Sequence, residues 1–306
     1  MVVVCTLLEG SYHKGAAALI NSLIVAKFDG LFILGYRGVT PEWPQLLDKK
    51  SDGVIRINDV TIELQQITDL TCLANLKPSF MLSSLQGSNA DAVVYADPDI
   101  VLTSPWSFIQ SWVGRGIALC EDNGFPSMSS NHVLRLAWQD YMKDHLGWEV
   151  RRPLERYYNS GFVGVRREHS GFLDQWETAT RQLEGAGVDP NAFKPGTRHD
   201  AFFGTDQDTL NMACMAGDEP LATLGPEGMG FNQALNVMQH AIDRPKPWQK
   251  RYLTTLLRNG QGVSAAHKAF WEYADGPIRA FSPWQLRLRR LDMKCAILLS
   301  RFYHAP

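Results

Sequence analysis

The chain has no apolar run approaching the length of a membrane span, which takes about 20 consecutive apolar residues. Its amino terminus, Met1-Val-Val-Val-Cys-Thr-Leu-Leu, has neither a basic leader nor an apolar stretch long enough for a signal peptide. Cysteine offers no scaffold either. Cys5, Cys72, Cys120, Cys214 and Cys295 are odd in number, scattered, and include no C-x-x-C pair, which argues against both a disulfide framework and a zinc site. Charge of one sign is missing as well: 30 Lys and Arg against 32 Asp and Glu leave a net −2, so no general attraction to nucleic acid is expected. No internal repeat or low-complexity segment is present. Together these absences leave a cytoplasmic or membrane-surface globular protein.

At 306 residues the chain can bury a sizeable core as one large domain. Strand-like runs near Val2–Leu7, Leu31–Gly35, Val54–Ile57, Ala92–Ala96, Ile117–Cys120 and Phe162–Val165 alternate with helical ones. The predicted helices lie near Ala16–Val25, Pro78–Leu85, His132–His145, Phe172–Leu183 and Asp208–Ala216. That alternation predicts an α/β fold with a mainly parallel central sheet and helices on both faces. The stretch from Gly185 to Gly204, with Gly187, Pro190, Pro195 and Gly196, reads as a long loop, either an active-site cover or a disordered segment.

The most informative stretch is Tyr95-Ala-Asp97-Pro-Asp99-Ile-Val, which puts two carboxylates just past the apolar run Ala92-Val-Val-Tyr95. Residues two apart on a strand point the same way. Two carboxylates this close repel unless a cation lies between them or one takes up a proton. Ligands of open α/β sheets sit beyond the carboxyl ends of the strands, where this pair falls. An acidic turn is the plain alternative, but D-x-D occurs only twice in the chain, and the second copy lies in Thr205-Asp206-Gln207-Asp208-Thr-Leu-Asn211.

With these pieces in hand, the chain resembles the metal-dependent, nucleotide-sugar-using glycosyltransferases, in particular the retaining group numbered family eight. Four ordered segments carry the resemblance. The first is Val2-Val-Val-Cys-Thr6-Leu-Leu leading to Tyr12, a region that in the family contacts the nucleotide base. The second is Leu76-Lys77-Pro78 followed by Asp97-Pro-Asp99; in relatives the acids ligate Mn²⁺ and an upstream basic residue approaches the diphosphate. Tyr158-Asn159-Ser-Gly161-Phe-Val-Gly-Val with Asp206-Gln207-Asp208 is the third, similar to the sugar-binding and catalytic segments. The fourth, His240-Ala-Ile-Asp243-Arg-Pro-Lys246-Pro-Trp248, is similar to H-x-x-G-x-x-K-P-W, whose histidine is the third protein ligand and whose lysine contacts the diphosphate. Here Asp243 stands where the family has glycine, which alters the close backbone approach that glycine permits. The resemblance implies a GT-A type, Rossmann-like fold over residues 1–278 with a helical extension at 279–306. It further implies a UDP-linked hexosyl donor, Mn²⁺ with Mg²⁺ as the alternative, and a glycan or lipid-linked glycan acceptor.

The chemistry asks for these residue types. Cleaving the bond from an anomeric carbon to a diphosphate oxygen puts negative charge on the leaving group, which a divalent cation and fixed ammonium groups stabilise. Asp97 and Asp99 supply hard oxygens, and an imidazole from His240 biases the site toward Mn²⁺; His267 is the competing ligand. Lys246 and Lys77 are the candidate cations. Asn159 can meet sugar hydroxyls with both ends of its amide, and Gly161 allows close approach. Asp206 is a candidate for binding hydroxyls, and Gln207 for lying near the anomeric carbon without acting as a base. Asp208 is expected to cap or orient. Acids at a helix start are also ordinary partners of the helix dipole. A nucleotidyltransferase of the same architecture would need a glycine- and arginine-rich phosphate loop, which Gly10-Ser-Tyr-His-Lys-Gly15 does not supply. A non-catalytic nucleotide-sugar-binding protein remains the other alternative.

From Trp284 onward, Leu288, Leu291, Cys295, Leu298 and Phe302 recur at helical spacing, with Arg287, Arg290, Lys294 and Arg301 on an adjoining face. Such a segment suits an anionic membrane surface, and equally a helix packed on the domain with a solvated basic face.

Overall fold

The computed structural model describes residues 1–43, 53–125, 127–232 and 235–302. Its strands are β1 (Val2–Glu9), β2 (Leu31–Arg37), β3 (Val54–Ile57), β4 (Val60–Gln66), β5 (Ala92–Ala96), β6 (Ile100–Leu102), β7 (Ile117–Glu121), β8 (Tyr158–Arg166), β9 (Leu221–Leu224) and β10 (Met238–His240). Its α-helices are α1 (His13–Val25), α2 (Lys77–Gln86), α3 (Trp106–Val113), α4 (Val133–Tyr141), α5 (Gly171–Arg181), α6 (Thr205–Ala216), α7 (Tyr252–Asn259), α8 (Ala265–Tyr273) and α9 (Pro283–Leu299).

The central sheet has eight strands in the order β3-β4-β2-β1-β5-β8-β7-β9. Parallel pairings join β1 to β2 and β5, β2 to β4, and β7 to β9, while β3 and β8 run against their neighbours. This is the mainly parallel α/β sheet expected from the sequence. Its central strands read as continuous apolar runs because both faces are covered. Alternation still divides them. Val3, Cys5 and Leu7 of β1 join Val93 and Tyr95 of β5 under α2, α5 and α6. Val4 and Leu8 join Val94 and Ala96 under α1 and α3 on the other face.

A third core lies between the carboxyl-terminal helices, where Tyr252 and Leu256 of α7, Phe270 and Trp271 of α8, and Leu286, Met293 and Ala296 of α9 meet Trp248 and Ala18. The Asn21 amide ties this layer to α1, donating to the carbonyls of Tyr273 and Ile278, both at 2.9 Å, and accepting the Ile278 N–H at 2.8 Å. The helical layer therefore begins at Tyr252, and α9 is its last member. Residues 303–306 of the expected extension lie outside the described residues.

Several elements escaped sequence periodicity. β6 and β10 are three residues each, shorter than any window in which alternation can be read. β8 starts at Tyr158, four residues before the expected Phe162. The reason is a break in its ladder with β7: Leu119 pairs with Val163, yet Cys120 pairs with Asn159. The residues between bulge out of the ladder, and a bulge of this kind re-aims side chains.

Candidate active site

β5 ends at Ala96, and its direction carries Asp97 and Asp99 beyond the carboxyl edge of the sheet. The Asp97 N–H donates to the Gly161 carbonyl at 2.7 Å, and the Ile100 N–H closes the turn on the Asp97 carbonyl at 3.0 Å. The chain then enters β6, whose antiparallel partner β10 sets His240 opposite Ile100. The Ala241 N–H bonds the Asp99 carbonyl at 3.0 Å. So a two-strand sheet too short to recognise in sequence delivers the histidine to the acids. One ligand atom each from Asp97, Asp99 and His240 lies within 4.8 Å of the others. The His240 Nε2 is 3.2 Å from the Asp99 Oδ1 and 3.7 Å from the Asp97 Oδ2. Two hard carboxylates plus one imidazole on a convergent centre suit a small divalent cation, Mn²⁺ better than Ca²⁺.

Two glycines make room for this arrangement. A Cβ on Gly15 of α1 would stand 2.2 Å from the Pro98 carbonyl oxygen, so the helix can lie against the acidic turn only without a side chain there. A Cβ on Gly161 would meet the His240 Cε1 at 2.5 Å, the Asn159 Oδ1 at 2.8 Å and the Asp97 Oδ2 at 2.9 Å.

Two buried lysines close the charge. The Lys246 Nζ is 2.7 Å from the Asp99 Oδ2 and donates to the Ala241 carbonyl at 2.7 Å. The Lys77 Nζ bridges the Asp97 Oδ1 at 3.1 Å and the Asp206 Oδ2 at 2.9 Å. Burial opposes the Lys77 charge, but Asp206 and Asp97 outweigh it and raise its pKa. Burial also pushes the Asp99 carboxyl up, and here His240 and Lys246 win and hold it well below the usual carboxylate range. Asp97 and Asp99 remain two carboxylates on one centre, a repulsion that a cation between them would offset.

The β8 bulge and the first turn of α6 form the other wall. The Gly161 N–H donates to the Asn159 Oδ1 at 2.8 Å, and the Asn159 Nδ2 donates to the Asp122 Oδ2 at 2.6 Å. Asp122, just past β7, orients the Asn159 amide, and nothing in its sequence neighbourhood singled it out. The Ser160 N–H reaches the Gln207 Oε1 at 3.2 Å, and the Ser160 hydroxyl donates to the Asp206 Oδ2 at 2.6 Å. The two segments separated widely in sequence thus meet directly.

Asp208 turns away from this wall. Its carboxylate accepts the Tyr157 hydroxyl at 2.6 Å and the Gly204 N–H at 2.9 Å, the orienting contact expected of it. Burial raises its pKa to about 8; the Tyr157 and Gly204 hydrogen bonds lower it, and Asp206 and Asp122 add to the rise. The folded chain therefore holds a proton here that the unfolded chain loses near 3.8. That contribution to stability is full below the unfolded value and is lost as pH rises toward the folded one. Between pH 4 and 6.5 the lowered pKa of the buried His267 offsets this loss, so the melting temperature should fall from about pH 6.5 to pH 8, where Asp208 removes up to ~1.4 kcal/mol of stability per pH unit. Asp208→Asn should flatten the slope; an unchanged slope in calorimetry would refute the assignment.

Other expected site residues fall into place differently. The side chain of Thr6 is fully buried and donates to the Ala96 carbonyl at 2.7 Å, so it holds the end of β5 rather than lining an open surface. Tyr12 packs edge-on against Trp248 with centroids 5.3 Å apart. Burial raises its hydroxyl pKa, and the charge of Asp99 adds to the effect. Asp243 is exposed, lies outside the Asp97-Asp99-His240 group, and acts electrostatically on His267. His267 itself is buried with both ring nitrogens unpartnered, and burial first, then Lys250, lowers its pKa to about 4. It stands outside the cluster, and His240 is the histidine beside the acids.

The long loop after α5 is anchored at two points. The Pro190 carbonyl accepts the Cys72 N–H at 3.2 Å and the Asn75 Nδ2 at 2.8 Å, just before α2. Further on, the ring of Phe193 lies 5.9 Å from the Arg244 guanidinium. The loop thereby reaches the segment that carries His240 and Lys246.

No protein-family model matches the chain, and no curated protein matches its sequence. Solved structures do match its fold. It is similar to the apo structure of WbbM, a bifunctional glycosyltransferase, with TM-score 0.56 and 15% identity over 94% of this chain and 51% of that one. The chain thus spans about half the length of WbbM. It is similar as well to the galactosyltransferase LgtC in complex with donor and acceptor sugar analogues, with TM-score 0.52 and 16% identity over 94% of this chain and 100% of that one. An LgtC active-site mutant, glutamine changed to glutamate, matches with TM-score 0.52 and 14% identity over the same 94% and 100%. The fold is therefore the GT-A type of these glycosyltransferases, with the helical layer at its carboxyl end.

Proposed function

We propose that the chain is a retaining glycosyltransferase that moves a hexosyl unit from a nucleotide-diphosphate sugar to a glycan or lipid-linked glycan acceptor, with Mn²⁺ as its metal. The observation that carries this reading is the convergence of Asp97, Asp99 and His240 at the carboxyl edge of a GT-A sheet, flanked by two buried lysines. Asp97, Asp99 and His240 would hold the metal. When bound, it would supply Lewis-acid stabilisation of the departing diphosphate.

The rest is work for the chain's own groups. Lys246 and Lys77 present fixed positive charge whose present partners are the site's own carboxylates. Asn159, oriented by Asp122, offers hydrogen bonds to sugar hydroxyls. In the transfer, the bond from the anomeric carbon to the phosphate oxygen breaks and its electron pair leaves with the nucleoside diphosphate. A bond forms from that carbon to the acceptor oxygen, whose proton passes to the departing phosphate oxygen. Delivery from the leaving-group face retains configuration.

An inverting reaction needs a free carboxylate base on the opposite face. Asp206 is already engaged by Lys77 and Ser160, and Asp208 is buried against Tyr157 with its pKa raised to about 8. Gln207 cannot act as a base. The active-site mutant of LgtC changes a glutamine, and Gln207 is the corresponding residue in this reading.

The reading is tested by screening UDP-glucose, UDP-galactose, UDP-N-acetylglucosamine and GDP-mannose for Mn²⁺-dependent hydrolysis, followed by proton NMR of the product with the accepted donor. An α-linked product is expected, and Gln207→Ala should lower kcat by about 10²-fold, the scale of a lost transition-state donor, with donor affinity nearly unchanged. A β-linked product would overturn retention, and binding without any turnover would make the chain a nucleotide-sugar-binding protein.

The histidines give an independent check. His240→Ala should raise the Mn²⁺ concentration needed for half-maximal nucleotide binding by at least ~10-fold, while His267→Ala leaves that requirement alone and lowers the melting temperature. A Mn²⁺ requirement that follows His267 instead would remove His240 from the site.

A further inference from the structure

α9 buries one side and presents a second apolar side to solvent. Leu286, Met293 and Ala296 are its buried positions, packed with α7 and α8. At about 100° per residue, Trp284, Leu288, Leu291, Cys295 and Leu298 fall on the opposite side, and Phe302 in the turn beyond the helix continues the line. Trp284, Leu291, Leu298 and Phe302 expose 66%, 58%, 57% and 78% of their surface. Such a stripe is some 25 Å long. Single exposed apolar residues are ordinary, but a continuous line of this length is the mark of a contact surface.

The charges of α9 select the partner. Of its cations, Arg289 donates to the Lys250 carbonyl at 3.1 Å, and Arg290 is held by Asp275 at 2.9 Å and by the Trp271 carbonyl. Arg290 therefore belongs to the packed side and not to the free basic face. Arg287, Lys294 and Arg301 are exposed and recur every seven residues along one border of the apolar stripe. The acid of this segment, Asp292, accepts the Tyr252 and Leu253 N–H groups at 2.8 and 3.0 Å, capping α7. The outward side is thus apolar and cationic on a chain whose net charge is −2. In a two-fold antiparallel pairing of two α9 stripes face to face, the cationic borders would lie side by side and repel. An anionic bilayer accepts both features at once, apolar side chains below the headgroups and cations among them.

We propose that the outward side of α9 is a docking surface for an anionic lipid bilayer, which lays the helix in the membrane plane without crossing it. Among the described residues no helix is long and apolar enough to cross. This inference stands on α9 alone and holds whatever reaction the site performs.

The test uses the full chain with phosphatidylcholine vesicles, with and without phosphatidylglycerol. Sedimentation with the anionic vesicles is expected, and about tenfold less partitioning without phosphatidylglycerol. Leu291→Glu/Leu298→Glu and Arg287→Glu/Lys294→Glu should each lower partitioning at least tenfold, with unchanged circular dichroism and melting because all four positions are exposed. Equal sedimentation of the variants and the parent chain, or none with anionic vesicles, would overturn the proposal. So would a dimer in sedimentation velocity that Leu291→Glu dissolves while the parent chain ignores vesicles, since the face would then belong to a second copy.

Discussion

Asp97→Asn and Asp99→Asn are each expected to weaken Mn²⁺-dependent binding of UDP by more than 10²-fold, beyond the ~10–100-fold that accompanies loss of a group supporting a metal ligand. Asparagine keeps the shape of each side chain and removes the anionic oxygen. Asp99 is the more sensitive of the two because it sits between His240 and Lys246 with little exposure. Two effects oppose each other in the metal-free protein. Removing the Asp99 charge leaves the buried Lys246 ammonium bonded to the Ala241 carbonyl but without the carboxylate that neutralises it at 2.7 Å, and breaking a buried pair from one side costs roughly 3–5 kcal/mol. It also relieves repulsion from Asp97. Binding should therefore be read against each variant's own metal-free melting temperature. A ligand that binds only the folded state adds about 2.7 kcal/mol at a hundredfold excess over its Kd, so Mn²⁺ with UDP should raise the melting temperature of the parent chain and leave both variants where they were. An undiminished rise in both would remove the acids from the metal site.

The acids were legible in the sequence because strand alternation fixes which way two residues two apart must point, and β5 is an uninterrupted apolar run that announces its own end. The sheet centre was legible for the same reason: both faces of β1 and β5 are buried, so their sequences leave no other element open. What failed was whatever depends on pairing between distant short segments. β6 and β10 carry too few residues to show a period, yet their register decides that His240 and not His267 approaches Asp99. The bulge in β8 was hidden because Asn159-Ser-Gly161 looks like a turn opening a strand, whereas the chain holds these residues inside the strand and leaves Ser160, Gly161 and Phe162 out of the ladder with β7. Asp122 had no motif around it, and its importance comes from an orienting bond to Asn159 across the sheet edge. Thr6 shows what a recognisable segment leaves unsaid: its place there implied a ligand contact, and the fold sets its hydroxyl on the buried Ala96 carbonyl. The carboxyl-terminal segment shows that two alternatives need not exclude each other: the packing is observed, and the membrane contact is the proposal. A helix has enough circumference to pack through Leu286, Met293 and Ala296 and still present Trp284, Leu291 and Leu298 outward.

Gly161→Ala should leave a folded protein that no longer assembles the metal site, and the separation of those two effects is what makes it informative. The atoms an added Cβ would meet are the His240 Cε1, the Asn159 Oδ1 and the Asp97 Oδ2, at 2.5, 2.8 and 2.9 Å. All three are the ends of side chains, which can swing aside at modest cost. They are also the groups on which the proposed site depends: two of the proposed metal ligands and the amide proposed to meet the sugar. The contrast with Gly15 is instructive, because a Cβ there meets the Pro98 backbone carbonyl at 2.2 Å and something in the main chain must move. Gly161→Ala is therefore expected to shift the melting temperature of the metal-free protein by only a few degrees, the scale of ~1 kcal/mol in a chain of this size. Mn²⁺-dependent UDP binding should fall by at least ~10²-fold, since displacing two proposed ligands at once exceeds the loss of one supporting contact. Isothermal titration with Mn²⁺ and UDP, run beside calorimetry of the metal-free variant, separates the two quantities. Binding within a few-fold of the parent chain would mean that His240 and Asp97 can reconverge around a methyl group, and the close approach at Gly161 would then have no role in holding the site open.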